Sequence, residues 1–290
     1  DVALTYHRFD ESLRCHYCGA NYKMPKTCPS CGREYIKYTG IGTQQVEEQL
    51  KLVFPNVRCL RMDMDTTSGK TAHRDILDAF TRREADVLIG TQMVAKGLDI
   101  PNVTLVGVVF ADSTLFHSDF RSSERTFQLL TQVAGRAGRA DKEGRVVIQT
   151  NAPGHRAIRL CTKHDYKTFY NLEIGDRLRT LFPPFAVFVR AQFACADENA
   201  AADAAERFAN GVTKTILTAL KPANAENELV FALAGAAPIR RREGLFRYAV
   251  IIKLVRTANT AAAINAIYAF SDGCADECYR GIEVNPQDML

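Results

Sequence analysis

Two kinds of side chain in this sequence are spaced for chemistry: thiols in pairs and guanidiniums in pairs. Cys15-His16-Tyr17-Cys18 and Cys28-Pro29-Ser30-Cys31 are C-x-x-C pairs separated by nine residues. A two-residue gap lets both thiolates of a knuckle face one Zn²⁺ at about 2.3 Å, with nearby backbone N–H groups donating to the sulfurs. Gly19 and Gly32 follow directly, where the turn needs residues able to take positive φ. Cys15, Cys18, Cys28 and Cys31 are therefore the candidate metal ligands. His16 reads as a surface residue between two of them. Cys59, Cys161, Cys195, Cys274 and Cys278 have no such pairing and read as structural thiols. The guanidiniums belong to Arg136 and Arg139, three apart with Gly135 and Gly138 beside them. Two planar forks at a helix end, on a backbone free to turn tightly, can converge on one phosphoryl group and stabilise its spread charge.

The arginines lie in Gln132-Val133-Ala134-Gly135-Arg136-Ala137-Gly138-Arg139, which fits Q-x-x-G-R-x-G-R, the sixth motif of superfamily 2 helicases. Gly90 to Asp99, GTQMVAKGLD, looks like the fifth motif, T-x-x-x-x-x-G-x-D, and follows a predicted strand at Val87–Ile89. Ligands of open α/β sheets bind at the carboxyl ends of strands, where this loop should lie. Gly69-Lys70-Thr71 has the tail of a P-loop, but the glycine required five positions earlier is Met64, so its backbone cannot wrap phosphates. No other G-K-[ST] and no D-E-x-H or D-E-A-D box occurs in the chain.

These residues need elements to hold them. Val46, Leu50 and Val53 recur at helical spacing after Thr43, read as an N-cap, and Pro55 stops the run. Val57–Met62 reads as a strand and Arg74–Thr81 as a helix. Val87–Ile89 and Val103–Phe110 are continuous apolar runs that suit strands buried on both faces of a parallel sheet. Thr126–Val133 reads as a helix and Arg145–Gln149 as a strand, completing an α/β layer. A basic helical stretch, His155–Leu181, leads to Phe182-Pro183-Pro184-Phe185, a boundary signal. Beyond it the order is strand (Val187–Cys195), helix (Asn199–Leu220), strand (Leu229–Leu233), strand (Phe246–Val255), helix (Asn259–Phe270), strand (Ile282–Val284). That β-α-β-β-α-β order is the split-βαβ pattern of ferredoxin-like α+β domains.

The 290 residues suffice for two or three domains, and 47% hydrophobic with 24% charged residues is ordinary globular composition. No stretch reaches the ~18 uninterrupted apolar residues of a membrane span, and no signal sequence opens the chain. A net charge of +4 neither demands nor excludes a nucleic-acid partner. Nine cysteines without an export signal point to metal binding and free thiols rather than a disulfide scaffold. The chain opens at Asp1 on sequence that reads as mid-domain, which suggests a fragment.

Together the double C-x-x-C, GIGTQQVEE (40–48), IGTQMVAKGLD (89–99), PNVTLVGV (101–108), DFRSSER (119–125) and QVAGRAGR (132–139) resemble the PriA family, the bacterial primosomal replication-restart helicases of superfamily 2. The resemblance is strongest over residues 1–150. Two departures, Gly235-Ala236 for the family's Gly-Pro and Asn285 for its aspartate, soften the C-terminal match. It implies a cysteine-rich zinc-binding region over 1–36, a RecA-like second helicase lobe over 37–181 and a C-terminal α+β domain over 182–290. It implies ATP-dependent 3′→5′ helicase activity in the whole protein, which restarts replication at abandoned forks by primosome assembly. Thr91, Gln92 and Lys96 would then meet the DNA backbone. Gly97, Asp99, Gln132, Arg136 and Arg139 would face the nucleotide, with the two arginines catalytic. ATP and Mg²⁺ would be bound mainly by a first lobe outside this chain, so the chain alone should be inactive. The family's insert holds two zinc ions in nested sites, with Cys15/Cys18 in the inner and Cys28/Cys31 in the outer. Implied partners are forked and single-stranded DNA, single-strand-binding protein and primosome proteins, in the bacterial cytoplasm at the nucleoid and without a membrane.

A competing reading is a zinc-dependent nucleic-acid or protein docking module with a degenerate helicase lobe. Arg136 and Arg139 discriminate, because a docking module needs neither. Arg240, Arg241 and Arg242, with Arg247 and Tyr248 nearby, could meet phosphates and stack a base, or form a solvated charged loop. Tyr22, Tyr35 and Tyr38 flank the knuckles and serve equally well as base contacts or as a small core.

Overall fold

Short strands separated by amphipathic helices set the middle of the chain, and long alternating strands set its end. The computed structural model describes residues 5–7, 12–14, 21–29, 31–34, 42–63, 72–91, 94, 103–116, 119–138, 143–220 and 228–287. It divides into two compact units, one of residues 37–173 and one of residues 174–290 together with 1–36.

At the start of the chain, β1 (Thr5–His7), β2 (Ser12–Arg14) and β3 (Asn21–Lys23) form an antiparallel sheet in that order. Arg14 pairs with Asn21, and Cys15 and Cys18 fall in the sequence between β2 and β3, outside the described residues.

The 37–173 unit begins with α1 (Thr43–Val53), which ends at Phe54 just before Pro55. Thr43 is not the N-cap expected from the sequence. Gly42 caps the helix in an extended conformation, and the Thr43 hydroxyl instead donates to Asp63 Oδ2 at 2.7 Å. A carboxylate brought in by the fold outcompetes the local backbone acceptor role. Strand β4 (Cys59–Met62) crosses through α2 (Ala72–Thr81) to a parallel partner, β5 (Val87–Gly90). Strand β6 (Leu105–Val108) leads through α3 (Asp112–Leu115) and α4 (Ser122–Ala134) to its parallel partner β7 (Arg145–Ile148). Two crossover units of this kind make the α/β layer expected.

The expectation of burial on both faces fails for β6, and its partner β7 is covered on one face only as well. Leu105 is 61% exposed and Val147 50% exposed, while Val106 and Val108 are partly covered. Among the described residues the strands pair two by two, and only one face of the β6–β7 pair is covered. Beside that pair Ala111, Leu115, Phe127, Leu130, Ile158 and Phe169 make a core. The basic stretch after it is two helices, α5 (Arg156–Cys161) and α6 (Tyr166–Thr180).

In the last part, β8 (Ala186–Cys195), α7 (Glu198–Ala219), β9 (Leu229–Arg242), β10 (Leu245–Val255), α8 (Thr260–Asp272) and β11 (Tyr279–Val284) follow in the order read from the sequence. All pairings in the sheet are antiparallel, in the order β11-β8-β10-β9. Ala201, Ala204, Ala205, Phe208, Val212 and Ile216 form one stripe of α7 at three- and four-residue spacing. They pack with α8 on Val189, Ala191, Phe193, Val250 and Ile252, the helix-side residues of the sheet. Small alanines let helix and sheet approach closely.

Candidate functional site

Gln132 and Arg136 depend on α4, and α4 is fixed at both ends. At its start the buried Asp119 carboxylate meets Arg125 Nη1 at 3.2 Å and Arg121 Nη1 at 3.6 Å, and Ser122 Oγ donates to the Asp119 carbonyl at 2.7 Å. Midway, Phe127 stacks on Phe169 at 4.2 Å, and Leu130 is buried. The helix ends at Gly135, and Arg136 N–H donates to the Val133 carbonyl at 3.0 Å. Gln132 is exposed and Arg136 half-buried, one helical turn apart.

The two glycines of the motif act differently. Gly135 has helical angles that any residue adopts, whereas Gly138 has φ +74°. Gly138 N–H donates to the Val103 carbonyl at 3.1 Å, and a Cβ on Gly144 would stand 2.1 Å from the Gly138 nitrogen. The turn after Arg136 is thus pressed against the approach to β7. Arg139 lies outside the described residues, so the structure places one of the two expected arginines.

Thr91 is exposed immediately after β5, at a carboxyl end as expected. Gly90 beside it has no room for a side chain: a Cβ would meet Val94 Cγ2 at 2.2 Å and the Met62 carbonyl at 2.7 Å. Asp63, at the corresponding end of β4, accepts from Thr43 and meets Arg61 Nε at 3.2 Å. Gln92, Lys96, Gly97 and Asp99 lie outside the described residues. Thr91 therefore stands on the β4–β5 pair and Arg136 beside the β6–β7 pair.

Of the four cysteines, Cys28 and Cys31 are described. Gly32 N–H donates to the Cys28 carbonyl and Cys28 N–H to the Arg33 carbonyl, both at 2.8 Å, and Gly32 has φ +69°. That closed turn, with Cys31 exposed, fits half of a Cys₄ zinc site. Cys15 and Cys18 lie outside the described residues, as do His16, Tyr35 and Tyr38. Among the described residues no group of three or more His, Cys, Asp or Glu could hold a metal. The remaining described cysteines behave as structural thiols. Burial and the neighbouring Cys195 push the Cys278 thiol up to about 12, and burial raises Cys161.

The arginine run is engaged within the protein. Arg240 Nε donates to Glu198 Oε1 at 2.6 Å, Arg242 Nε to Glu243 Oε1 at 3.1 Å, and Arg241 lies 4.9 Å over the Phe246 ring. Tyr248 is half-buried against the helix-side core, and its hydroxyl donates to Glu198 at 3.3 Å. Arg247 lines a groove of about 560 Å³ on the other face of the sheet, with Arg190, Gln192, Leu233 and Arg280. Burial, then Arg242 and Arg190, lower its pKa.

Sequence reasoning missed the Asp119–Arg121–Arg125 cluster and the Thr43–Asp63 link. The first had a signal, an acid two and six residues ahead of arginines. The second, between residues twenty apart, had none.

The profile for the helicase conserved C-terminal domain matches residues 35–141, and that for the PriA DNA helicase Cys-rich region domain matches residues 1–23. The chain is 45% identical to replication restart protein PriA of Bacillus subtilis (strain 168) over 92% of its length and 32% of the relative's. It is 49% identical to the Synechocystis protein of that name over 65% of this chain and 23% of the relative's. With the Treponema pallidum protein it shares 39% identity over 78% of this chain and 33% of the relative's. The chain thus spans about a third of the length of these relatives or less. A docking module with a degenerate lobe is not favoured by these matches.

Proposed function

We propose that this chain, which belongs to the PriA family of replication restart proteins, supplies the second motor lobe of an ATP-dependent 3′→5′ DNA helicase that restarts replication at abandoned forks. The observation that carries the reading is Arg136, half-buried at the end of a helix anchored through Asp119, Phe127 and Leu130. A guanidinium carried on so firmly anchored a helix end suits a phosphoryl group in transit, because its backbone needs no reorganisation when charge develops. Arg139 joins it by the motif, with Gln132, Gly97 and Asp99 toward the nucleotide. Thr91, Gln92 and Lys96 track the DNA backbone, and Arg240, Arg241 and Arg242 add cationic contacts. ATP and Mg²⁺ are held mainly by a P-loop lobe outside this chain.

The domain limits that go with this reading are 1–36, 37–181 and 182–290, the last a ferredoxin-like domain. Its support is the antiparallel sheet order β11-β8-β10-β9 with both helices on one face. Cys15 and Cys18 would hold one structural zinc and Cys28 and Cys31 another, all as thiolates, with two ions expected in the whole protein. Single-strand-binding protein and primosome proteins are the expected partners in the bacterial cytoplasm. Among the described residues no helix is long and apolar enough to cross a membrane. The test is unwinding of a forked duplex by the gene product that carries this chain. ATP-dependent strand separation with 3′→5′ polarity, abolished by Arg139→Ala, is the expected result; unwinding that survives Arg139→Ala rejects the assignment.

A further inference from the structure

Helix α6 buries little of its surface. Only Phe169 and Glu173 are buried, while Tyr166 is 61% exposed and Tyr170 49% exposed. The two tyrosines lie at i, i+4, so they share a face beside the buried stripe. They continue an aromatic series that starts in the core. Phe127 stacks on Phe169 at 4.2 Å and 8°, Tyr166 lies 6.3 Å from Phe127, and Tyr170 lies 6.1 Å from Tyr166. The inner rings brace the outer two, whose remaining surface faces solvent.

Within residues 156–172 the exposed charges are all positive. Arg159, Lys163 and Lys167 are exposed, and none has an ion pair or side-chain hydrogen bond. The neighbouring acids are already engaged: Asp165 Oδ1 accepts from Thr168 N–H at 3.0 Å, and Glu173 pairs with Arg156 at 2.8 Å. By contrast Arg58 and Arg82 in the same unit each hold a carboxylate. Rings about half exposed, on a helix flanked in the chain by exposed cations that hold no ion pair, match a ligand with flat apolar faces joined by regular negative charges. Single-stranded nucleic acid has that chemistry, with bases stacking on the rings and phosphates meeting the cations. We propose that Tyr166 and Tyr170, with Arg159, Lys163 and Lys167, form a stacking track for single-stranded DNA. The proposal rests on the reading of the chain as part of a DNA motor and adds a contact surface outside the helicase motifs.

The probe is fluorescein-labelled dT20, followed by anisotropy between 50 and 200 mM salt with the whole chain. Leucine keeps the apolar contact with Phe127, so the ring variant is Tyr166→Leu/Tyr170→Leu. It should bind about ten-fold or more weakly with an unchanged salt slope, since stacking is lost and charge is not. Lys163→Ala/Lys167→Ala should flatten the slope by about 1.4, at roughly 0.7 per phosphate contact on a single strand. An oligonucleotide carrying 5-iododeoxyuridine, irradiated with the wild-type chain, should crosslink at Tyr166 or Tyr170, a result that does not depend on any variant folding. Wild-type binding with an unaffected ring variant, or with crosslinks elsewhere only, overturns the track and leaves the motor reading intact. No binding of dT20 even at 50 mM salt overturns the track and counts against the DNA motor as well. Ring-dependent binding of dT20 without salt dependence overturns the assignment of phosphate contacts to Arg159, Lys163 and Lys167.

Discussion

Replacing Gly90 by alanine tests how tightly the end of β5 is built around Thr91. The added Cβ would stand 2.2 Å from Val94 Cγ2 and 2.7 Å from the Met62 carbonyl. Both distances are far inside van der Waals contact, and the two obstacles differ in kind. Val94 is a side chain that a second substitution can shorten. The Met62 carbonyl belongs to β4, whose Met62 is the register partner of Gly90, and it moves only if the strand pair moves. Overpacking of this kind costs about 1–3 kcal/mol, against a gain of about 0.4–1 kcal/mol from the stiffer unfolded chain. With a urea slope of about 2 kcal/mol/M, the middle of these ranges, a net loss of about 1.3 kcal/mol, moves the unfolding midpoint down by roughly 0.7 M. Val94→Ala in the Gly90→Ala background should recover part of this and leave the part due to the carbonyl. A double-mutant cycle read by circular dichroism in urea gives the coupling, expected to be favourable by about 1 kcal/mol. If Gly90→Ala unfolds with the wild-type midpoint, or if Val94→Ala adds its own cost without rescue, the close packing at this corner is refuted.

Other consequences are equally open to measurement. The chain by itself should show no DNA-stimulated phosphate release above a contaminant control, because it has no P-loop or acidic metal-binding box to capture Mg²⁺–nucleotide. Arg58 donates to the Asp86 carboxylate at 2.7 and 3.1 Å and holds it down to about 2. The folded value lies below the unfolded one of about 3.9, so this stabilisation is complete above that pH and is lost as pH falls toward 2. Asp86→Asn should remove that share of the acid dependence in pH-resolved urea melts. After chelation, Cys31 should react first with a thiol reagent and Cys278 only on unfolding, since one is exposed and the other is buried with a raised pKa; early modification of Cys278 would contradict the packing around Cys195. Metal analysis should give at most one zinc in this chain and two in the whole gene product, and one ion in the latter would leave a single Cys₄ site as the correct arrangement.

The sequence announced elements better than their surroundings. The order of strands and helices after Phe185 was readable because Val187–Cys195 and Phe246–Val255 alternate and the alanine-rich helix keeps one stripe. Strand β9 was read too short, as Leu229–Leu233, because Gly235, Ala236, Ala237 and Pro238 carry little strand propensity. Gly235 and Ala236 are held by pairing with β10. Ala237 and Pro238 instead fall in a register shift between the Tyr248–Ala236 and Phe246–Arg241 pairs, and a proline is tolerated at such an irregularity on an edge strand. The helix that leads to Gln132 and Arg136 was legible because its apolar stripe is local. The site was not legible where the fold brings distant groups together. Thr43 became a hydrogen-bond donor to Asp63 instead of a cap, and Tyr248 donates its hydroxyl to Glu198. In both cases a carboxylate supplied by another element decided the outcome.

The most direct test of the central claim is the Arg136→Ala variant of the gene product that carries this chain, measured for ATP turnover and for forked-DNA binding in the same buffer. A guanidinium that acts on the phosphoryl group in transit should, when removed, lower DNA-stimulated turnover by about 10³–10⁵. Affinity for the fork should stay within about three-fold, because the phosphate backbone loses no essential contact. Turnover near the wild-type rate, or turnover that falls only in step with DNA affinity, would contradict the assignment of Arg136 to the nucleotide.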